Sequence, residues 1–188
     1  MGNTASVLLT PSACCLVLVD VQEKLAAVMS DKEKMIARCG VLLRAAKALN
    51  IPVLWCEQAP RALGPTVREL RELLEGEKPF EKISFSCCSA EGFFRKLEEV
   101  KPSAVLLCGI EAHVCVFQTA VELLNQGLNV HVIADAVSSR TEENKAIGLG
   151  RMSAAGAVIN STEMVLFELL RDARHERFKE LAALIKSF

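Results

Sequence analysis

Apolar residues along this chain gather in two alternating kinds of run. Short, nearly continuous blocks lie near 14–20, 52–56, 104–108, 129–134 and 157–159, with a further extended piece near 82–86. Longer segments with apolar positions at helical spacing lie near 31–49, 66–75, 90–99, 115–126, 142–155, 162–170 and 175–186. The short blocks read as strands and the long ones as helices. Strands that are apolar at nearly every position belong to a sheet covered on both faces. Alternation of strand and helix then predicts an α/β fold, a mainly parallel sheet with helices on either side. Ser30 with Glu33 is the expected capping box of the first long helix, and Asn50-Ile51-Pro52 is its stop. Ser89, Thr141 and Ser161 are expected N-caps. No repeat, linker or low-complexity tract interrupts the pattern, so residues 1–188 are expected to form a single domain. Residues 57–66 are the longest irregular segment, and such loops often carry function.

Composition narrows the function classes. Lys and Arg number 22 against 23 Asp and Glu, a formal net charge of −1, and neither sign forms a long block. That is not the basic footprint of a nucleic-acid binder, so no nucleic-acid partner is expected. No apolar run is long enough to cross a bilayer, so no membrane partner is expected either. The run Ala13 to Val19 has no basic segment before it and ends in Asp20, which reads as a first strand rather than a signal peptide. Eight cysteines without such a peptide point to a reducing compartment, and the expected location is cytoplasmic. Cys14-Cys15 and Cys87-Cys88 are adjacent pairs, and neighbours in an extended strand face opposite ways, poorly placed to share a metal. Met1-Gly2-Asn3-Thr4-Ala5-Ser6 fits the short myristoylation pattern.

Ligands of open parallel sheets bind beyond the carboxyl ends of the strands, and polar residues gather there. Asp20 ends the first strand, Glu57 and Gln58 follow Val53-Leu54-Trp55-Cys56, and Asp135 follows Val130 to Ala134. Lys82 interrupts the apolar, aromatic segment Phe80 to Phe85. After the 104–108 strand, the chain turns at Gly109 and opens a helix with Cys115 in its first turn. Free amides and the helix dipole stabilise a thiolate at such a position, making Cys115 a candidate nucleophile. Each residue has an ordinary alternative. Cys115 can be a packed thiol, Asp20 a turn cap, and Lys82 a surface residue whose stem covers Phe80 and Phe85. Glu57 and Gln58 are substrate-pocket candidates, and so is His113, which is not assigned as the base. Asp135, His131 and His175 read as structural.

With Asp20, Lys82 and Cys115 in view, the chain resembles the isochorismatase-like cysteine hydrolases. The resemblance runs from Leu16-Val17-Leu18-Val19-Asp20-Val21-Gln22 to Gly156-Ala157-Val158-Ile159-Asn160-Ser161-Thr162-Glu163. Gly109-Ile110-Glu111-Ala112-His113-Val114-Cys115 is similar to the family's nucleophile loop, and Lys82-Ile83-Ser84-Phe85-Ser86 to its lysine segment. The block Glu57-Gln58-x-Pro60-x-x-Leu63-Gly64-x-Thr66 resembles the isochorismatase domain-containing branch. The resemblance implies a Rossmann-like three-layer sandwich around a five- to six-stranded sheet, with an Asp20–Lys82–Cys115 triad. It also implies a cis peptide between Ile110 and Glu111, with the amides of Glu111 and Cys115 forming an oxyanion hole.

The activity implied is cleavage of a small carboxamide-type C–N bond through a thioester on Cys115. The alternative is a catalytically silent binding or scaffold member, and a third reading is a peroxide-sensitive thiol. Nicotinamidases carry histidine metal ligands near the end of the second strand. Here that place reads Cys56-Glu57-Gln58-Ala59-Pro60, with no histidine before His113, so neither a metal nor another cofactor is expected. Ribonuclease activity has been attributed to relatives in the same branch, but this chain offers no basic groove or histidine pair for it. The expected partners are a small-molecule substrate and further copies of the chain, as a dimer or larger. The apolar segments Met164 to Leu170 and Leu181 to Ile185 are candidates either for that interface or for covering the sheet.

Overall fold

Successive residues of the first strand, β1 (Cys14–Val19), enter two different cores. Cys14, Leu16 and Leu18 pack on one side and Cys15, Val17 and Val19 on the other, the period-two geometry of a strand buried on both faces. A computed structural model describes residues 8–186, and the myristoylation pattern at the N-terminus lies outside them. The remaining strands are β2 (Val53–Gln58), β3 (Phe80–Lys82), β4 (Ala104–Ile110), β5 (Asn129–Ser138) and β6 (Val158–Asn160). They form one sheet in the order β3-β2-β1-β4-β5-β6, and every pairing is parallel.

The short α1 (Glu23–Ala26) follows β1, and α2 (Lys32–Ala48) covers the first face through Met35, Cys39 and Leu42. The single turn α3 (Pro60–Leu63) follows β2, and α4 (Arg68–Arg71) adds Leu70 to the same core as α2. The second face is covered by α5 (Phe93–Val100), α6 (Phe117–Asn125) and α7 (Glu142–Ala154), through Phe93, Leu97, Ala120, Leu123 and Met152. The last two helices, α8 (Thr162–Leu170) and α9 (Phe178–Ile185), return to the first face. They cover the sheet with Val165, Leu166, Leu169 and Leu181, while α8 leaves Met164 and Phe167 exposed. The result is the predicted three-layer α/β sandwich. Among the described residues, no helix is long and apolar enough to cross a membrane.

Local expectations fare unevenly. Thr141 and Ser161 cap α7 and α8, accepting from the amides of Asn144 and Met164. The Ser30–Glu33 capping box does not form. Asp31 occupies the N-cap of α2 without a side-chain bond, and the Ser30 hydroxyl donates to the Ser139 carbonyl at 2.8 Å instead. Ser89 ends a short 3-10 turn (Cys87–Ser89) capped by Ser86, and α5 begins only after Gly92. Residues 57–66 are not irregular throughout, because Glu57 and Gln58 extend β2 and Pro60–Leu63 is helical. The extended piece expected near 82–86 is β3, displaced to Phe80–Lys82. β5 runs on to Ser138, so Asp135 lies inside a strand rather than in a turn.

Candidate active site

Strand order reverses between β1 and β4, the topological point at which a parallel sheet opens a crevice at its carboxyl ends. Four strands deliver side chains there. Asp20 follows β1, Gln58 and Lys82 end β2 and β3 as register partners, and β4 leads through Gly109 to the turn that carries Cys115. Gly109 has a φ of +115°, and a Cβ there would overlap the Val19 carbonyl oxygen and lie 2.7 Å from the Val19 nitrogen. Only glycine lets the end of β4 run this close to β1. The Ile110–Glu111 peptide is cis.

The Lys82 ammonium is the hub. It donates to Asp20 Oδ2 at 2.7 Å, Gln58 Oε1 at 2.9 Å and the Phe85 carbonyl at 2.9 Å, with the Ser84 carbonyl at 3.3 Å. An ammonium has three protons, so these acceptors occupy all of them, and Lys82 acts as a fixed buried charge that anchors the 83–85 loop. Gln58 is itself held. Its side-chain amide donates to the Ile83 carbonyl at 2.6 Å, and its backbone exchanges bonds with the Gln22 side chain.

Asp20 is wholly buried, with a φ of +51°. Its Oδ1 makes no hydrogen bond among the described residues, and the Cys115 thiol is among the groups that act on this carboxylate beside Lys82. Burial, only partly offset by the Lys82 ammonium, pushes the Asp20 carboxyl up from its ordinary value. Burial also works against the Lys82 charge, yet Asp20, Cys87 and Cys115 outweigh it, and the ammonium is held up.

Cys115 departs from expectation in two ways. It lies in a π-turn (Ala112–Val116) ahead of α6, not in the first turn of the helix. Burial first, and then the Asp20 carboxylate, push its thiol well up against the opposing pull of Lys82. Both causes favour the thiol form, against the thiolate expected from the helix dipole. The dipole falls off within the first turn, and burial with the Asp20 carboxylate outweighs the Lys82 charge.

The loop after Lys82 and the helix after Cys115 are tied together. The Cys87 amide donates to Thr119 Oγ1 at 2.9 Å, and the Ser86 hydroxyl donates to Glu122 Oε2 at 2.8 Å. Thr119 stands four residues after Cys115, in α6. From the other side α7 packs through Gly148, where a Cβ would come within 2.9 Å of Ala112 backbone atoms and His113 Cα.

The remaining candidates divide. Glu57 accepts from the Thr66 amide and hydroxyl at 2.7 and 2.8 Å through Oε1, so its carboxylate braces a loop, and its charge also acts on Asp20. Gln58 belongs to the site but through Lys82. His113 is half-buried, with Nδ1 3.0 Å from Ser139 Oγ. Asp135 is structural as read, accepting from the Thr162 amide and hydroxyl at the start of α8. His131 pairs with Asn160 at 2.9 Å inside the sheet, and His175 accepts from the Arg177 amide. A cleft of about 410 Å³ opens beside the lysine loop, bounded by Pro60, Glu81, Lys82, Ile83, Ser84 and Ser89. Ile83, one of its lining residues, is exposed, as is the nearby Phe85. All eight cysteines are free and buried. Among the described residues, no group of three or more His, Cys, Asp or Glu side chains is arranged to hold a metal ion.

Sequence reasoning missed Gln22, Thr119, Ser139 and Arg140. Arg140 donates to the Glu111 carboxylate through Nε and Nη2 at 3.0–3.3 Å. The rule that picked out other strand ends would have found it, had β5 been recognised as running to Ser138.

Residues 14–164 match the isochorismatase domain. The chain belongs to the isochorismatase-like hydrolase family. Its relatives include isochorismatase domain-containing protein 2 of Danio rerio, 40% identical over 94% of this chain and 89% of that protein. The Homo sapiens protein of the same description is 38% identical over 94% of this chain and 84% of its own length. Among solved structures, MAR1 ribonuclease from Caenorhabditis elegans superposes with a TM-score of 0.90 at 39% identity, covering 96% of this chain and 93% of that one.

Proposed function

We propose that this family member is a cysteine hydrolase that cleaves a small carboxamide-type C–N bond through a thioester on Cys115. One observation carries the reading. A buried Lys82–Asp20 pair, 2.7 Å apart, meets the Cys115 thiol at one end of the sheet, although the three residues are far apart in sequence. A structural ion pair needs no sulfur beside it, and a packing thiol needs no base.

Asp20 takes the Cys115 proton as the sulfur attacks the carbonyl carbon, so the thiolate exists only when it reacts. The upward shift of the Asp20 carboxyl suits it to hold that proton. Lys82 stays charged and keeps Asp20 oriented. The amides of Glu111 and Cys115 hold the oxyanion of the tetrahedral intermediate. Collapse breaks the C–N bond, and Asp20 returns the proton to the leaving nitrogen. Water, deprotonated by Asp20, then hydrolyses the thioester to a carboxylic acid and restores the thiol.

The test is a panel of small primary amides and activated esters run against the unaltered protein and Cys115→Ala. Turnover in the first and none in the second, with both folded, supports the reading; full activity in Cys115→Ala eliminates it. Thiol labelling is a quicker check, since Cys115 should react ahead of the core residues Cys39 and Cys56.

The C. elegans structure, 39% identical and carrying the name ribonuclease, favours a second reading in which RNA is the substrate. The two separate cleanly. RNA cleavage that survives in Cys115→Ala assigns that activity to other groups, whereas RNA left intact by a protein that hydrolyses amides removes the second reading.

A further inference from the structure

We propose that Arg140 is a positioning residue that holds the nucleophile turn in register by gripping Glu111. The proposal rests on the cysteine-hydrolase reading above. Glu111 is the first residue beyond β4, and its carbonyl accepts from the Val114 and Val116 amides at 3.0 and 3.2 Å, one on each side of Cys115. A shift of Glu111 therefore carries the sulfur with it, together with the amide of Glu111 itself.

The Glu111 side chain is buried, and Arg140 reaches it with both backbone and guanidinium. The Arg140 amide lies 3.3 Å from Oε2, Nε lies 3.3 and 3.2 Å from the two oxygens, and Nη2 lies 3.0 Å from Oε1. The preceding residue, Ser139, reaches His113 on the same turn with Oγ 3.0 Å from Nδ1. The loop after β5 thus holds the turn at two points on the approach to Cys115. The Arg140 side chain is 64% exposed and that of Glu111 only 7%, so truncating Arg140 removes little packing. It removes the planar fork that fixes the carboxylate in two directions, which a lysine cannot reproduce.

The experiment compares two reactions of Cys115 in the unaltered protein, Arg140→Ala and Arg140→Lys. In the first, p-nitrophenyl acetate acylates the sulfur. The S–C bond forms, the C–O bond to p-nitrophenolate breaks, and the thiol proton passes to Asp20. That path goes through an oxyanion and depends on the turn's amides. In the second, iodoacetamide alkylates the same sulfur. An S–C bond forms, the C–I bond breaks, iodide leaves and the thiol proton passes to Asp20, with no oxyanion. Mass spectrometry assigns each adduct to Cys115. Acylation should fall on the order of 10- to 100-fold in Arg140→Ala, as small misplacements of reacting groups do. Arg140→Lys should fall between, and alkylation, which needs the sulfur but no oxyanion, should fall much less than acylation in both variants. Unchanged acylation in Arg140→Ala overturns the proposal, and so does a parallel fall of both reactions, which marks general disruption. No acylation of Cys115 in the unaltered protein overturns the hydrolase reading and this one with it, a result distinct from either.

Discussion

Lys82→Met removes the charge on which the candidate site is built while keeping a side chain of similar length. Both members of the Lys82–Asp20 pair have no solvent-exposed side-chain surface. Deleting one partner of a buried pair costs about 3–5 kcal/mol, because the other charge is left uncompensated. The Gln58 and Phe85 oxygens also lose their donor, worth up to about 1–3 kcal/mol each if they stay dry. Phe85 and Ser84 lie on an exposed loop that water can reach, so the smaller total applies. With a urea slope of about 2 kcal/mol per molar, the unfolding midpoint should drop by about 2 M. Trp55, the single tryptophan, is buried in β2 and reports the transition by fluorescence. Adding Asp20→Asn removes the stranded carboxylate, so the double variant should recover at least about 1 kcal/mol over Lys82→Met. An unchanged midpoint in Lys82→Met, or a double variant no more stable than the single one, would refute the assignment of a charged, buried pair.

Other expectations follow from the same geometry. In the proposed mechanism acylation of Cys115 needs Asp20 as a carboxylate, and burial raises its pKa above 3.8, so the rate should rise with pH through a midpoint above that value. Lys82 is shifted up from 10.5, so it should stay charged well into alkaline solution, and Asp20→Asn should remove the acid limb. Burial lowers the pKa of His131 from 6.5, so the unfolded chain binds its proton more readily than the folded one. Stability should therefore be fully present above that pH and decline as pH falls through the folded value. His131→Gln should flatten the decline in urea midpoints, and an equally steep loss in the variant would assign it elsewhere. Gly148→Ala should push α7 off the Ala112–His113 backbone, cost about 1–3 kcal/mol and slow acylation. Gly150→Ala on the same helix meets nothing within 4 Å and should be neutral or stabilising by about 0.5–1 kcal/mol, so equal behaviour of the two would deny the close approach.

The sequence by itself determined the layers. Apolar blocks without alternation, as in Cys14–Val19 and Ala104–Cys108, can be satisfied only by a sheet buried on both faces, and helical segments between them force parallel pairing. Asp20 and Lys82 stood out as candidates because a charge breaks an apolar run, and Cys115 because it follows the turn that ends one. The Thr141 and Ser161 caps were legible because they are local bonds within one turn. The capping box at Ser30 failed because a contact with Ser139, 109 residues away, claimed its hydroxyl. Tertiary structure alone decided which polar residues work together. Glu57 and Gln58 are adjacent, yet the alternation of a strand sends one to brace Thr66 and the other to Lys82. Arg140 was missed because the true end of β5 at Ser138 was not apparent, and its partner Glu111 lies 29 residues earlier. The protonation of Cys115 was likewise undecidable from helix position, since the field at the sulfur comes from Asp20 and Lys82, which folding brings to it.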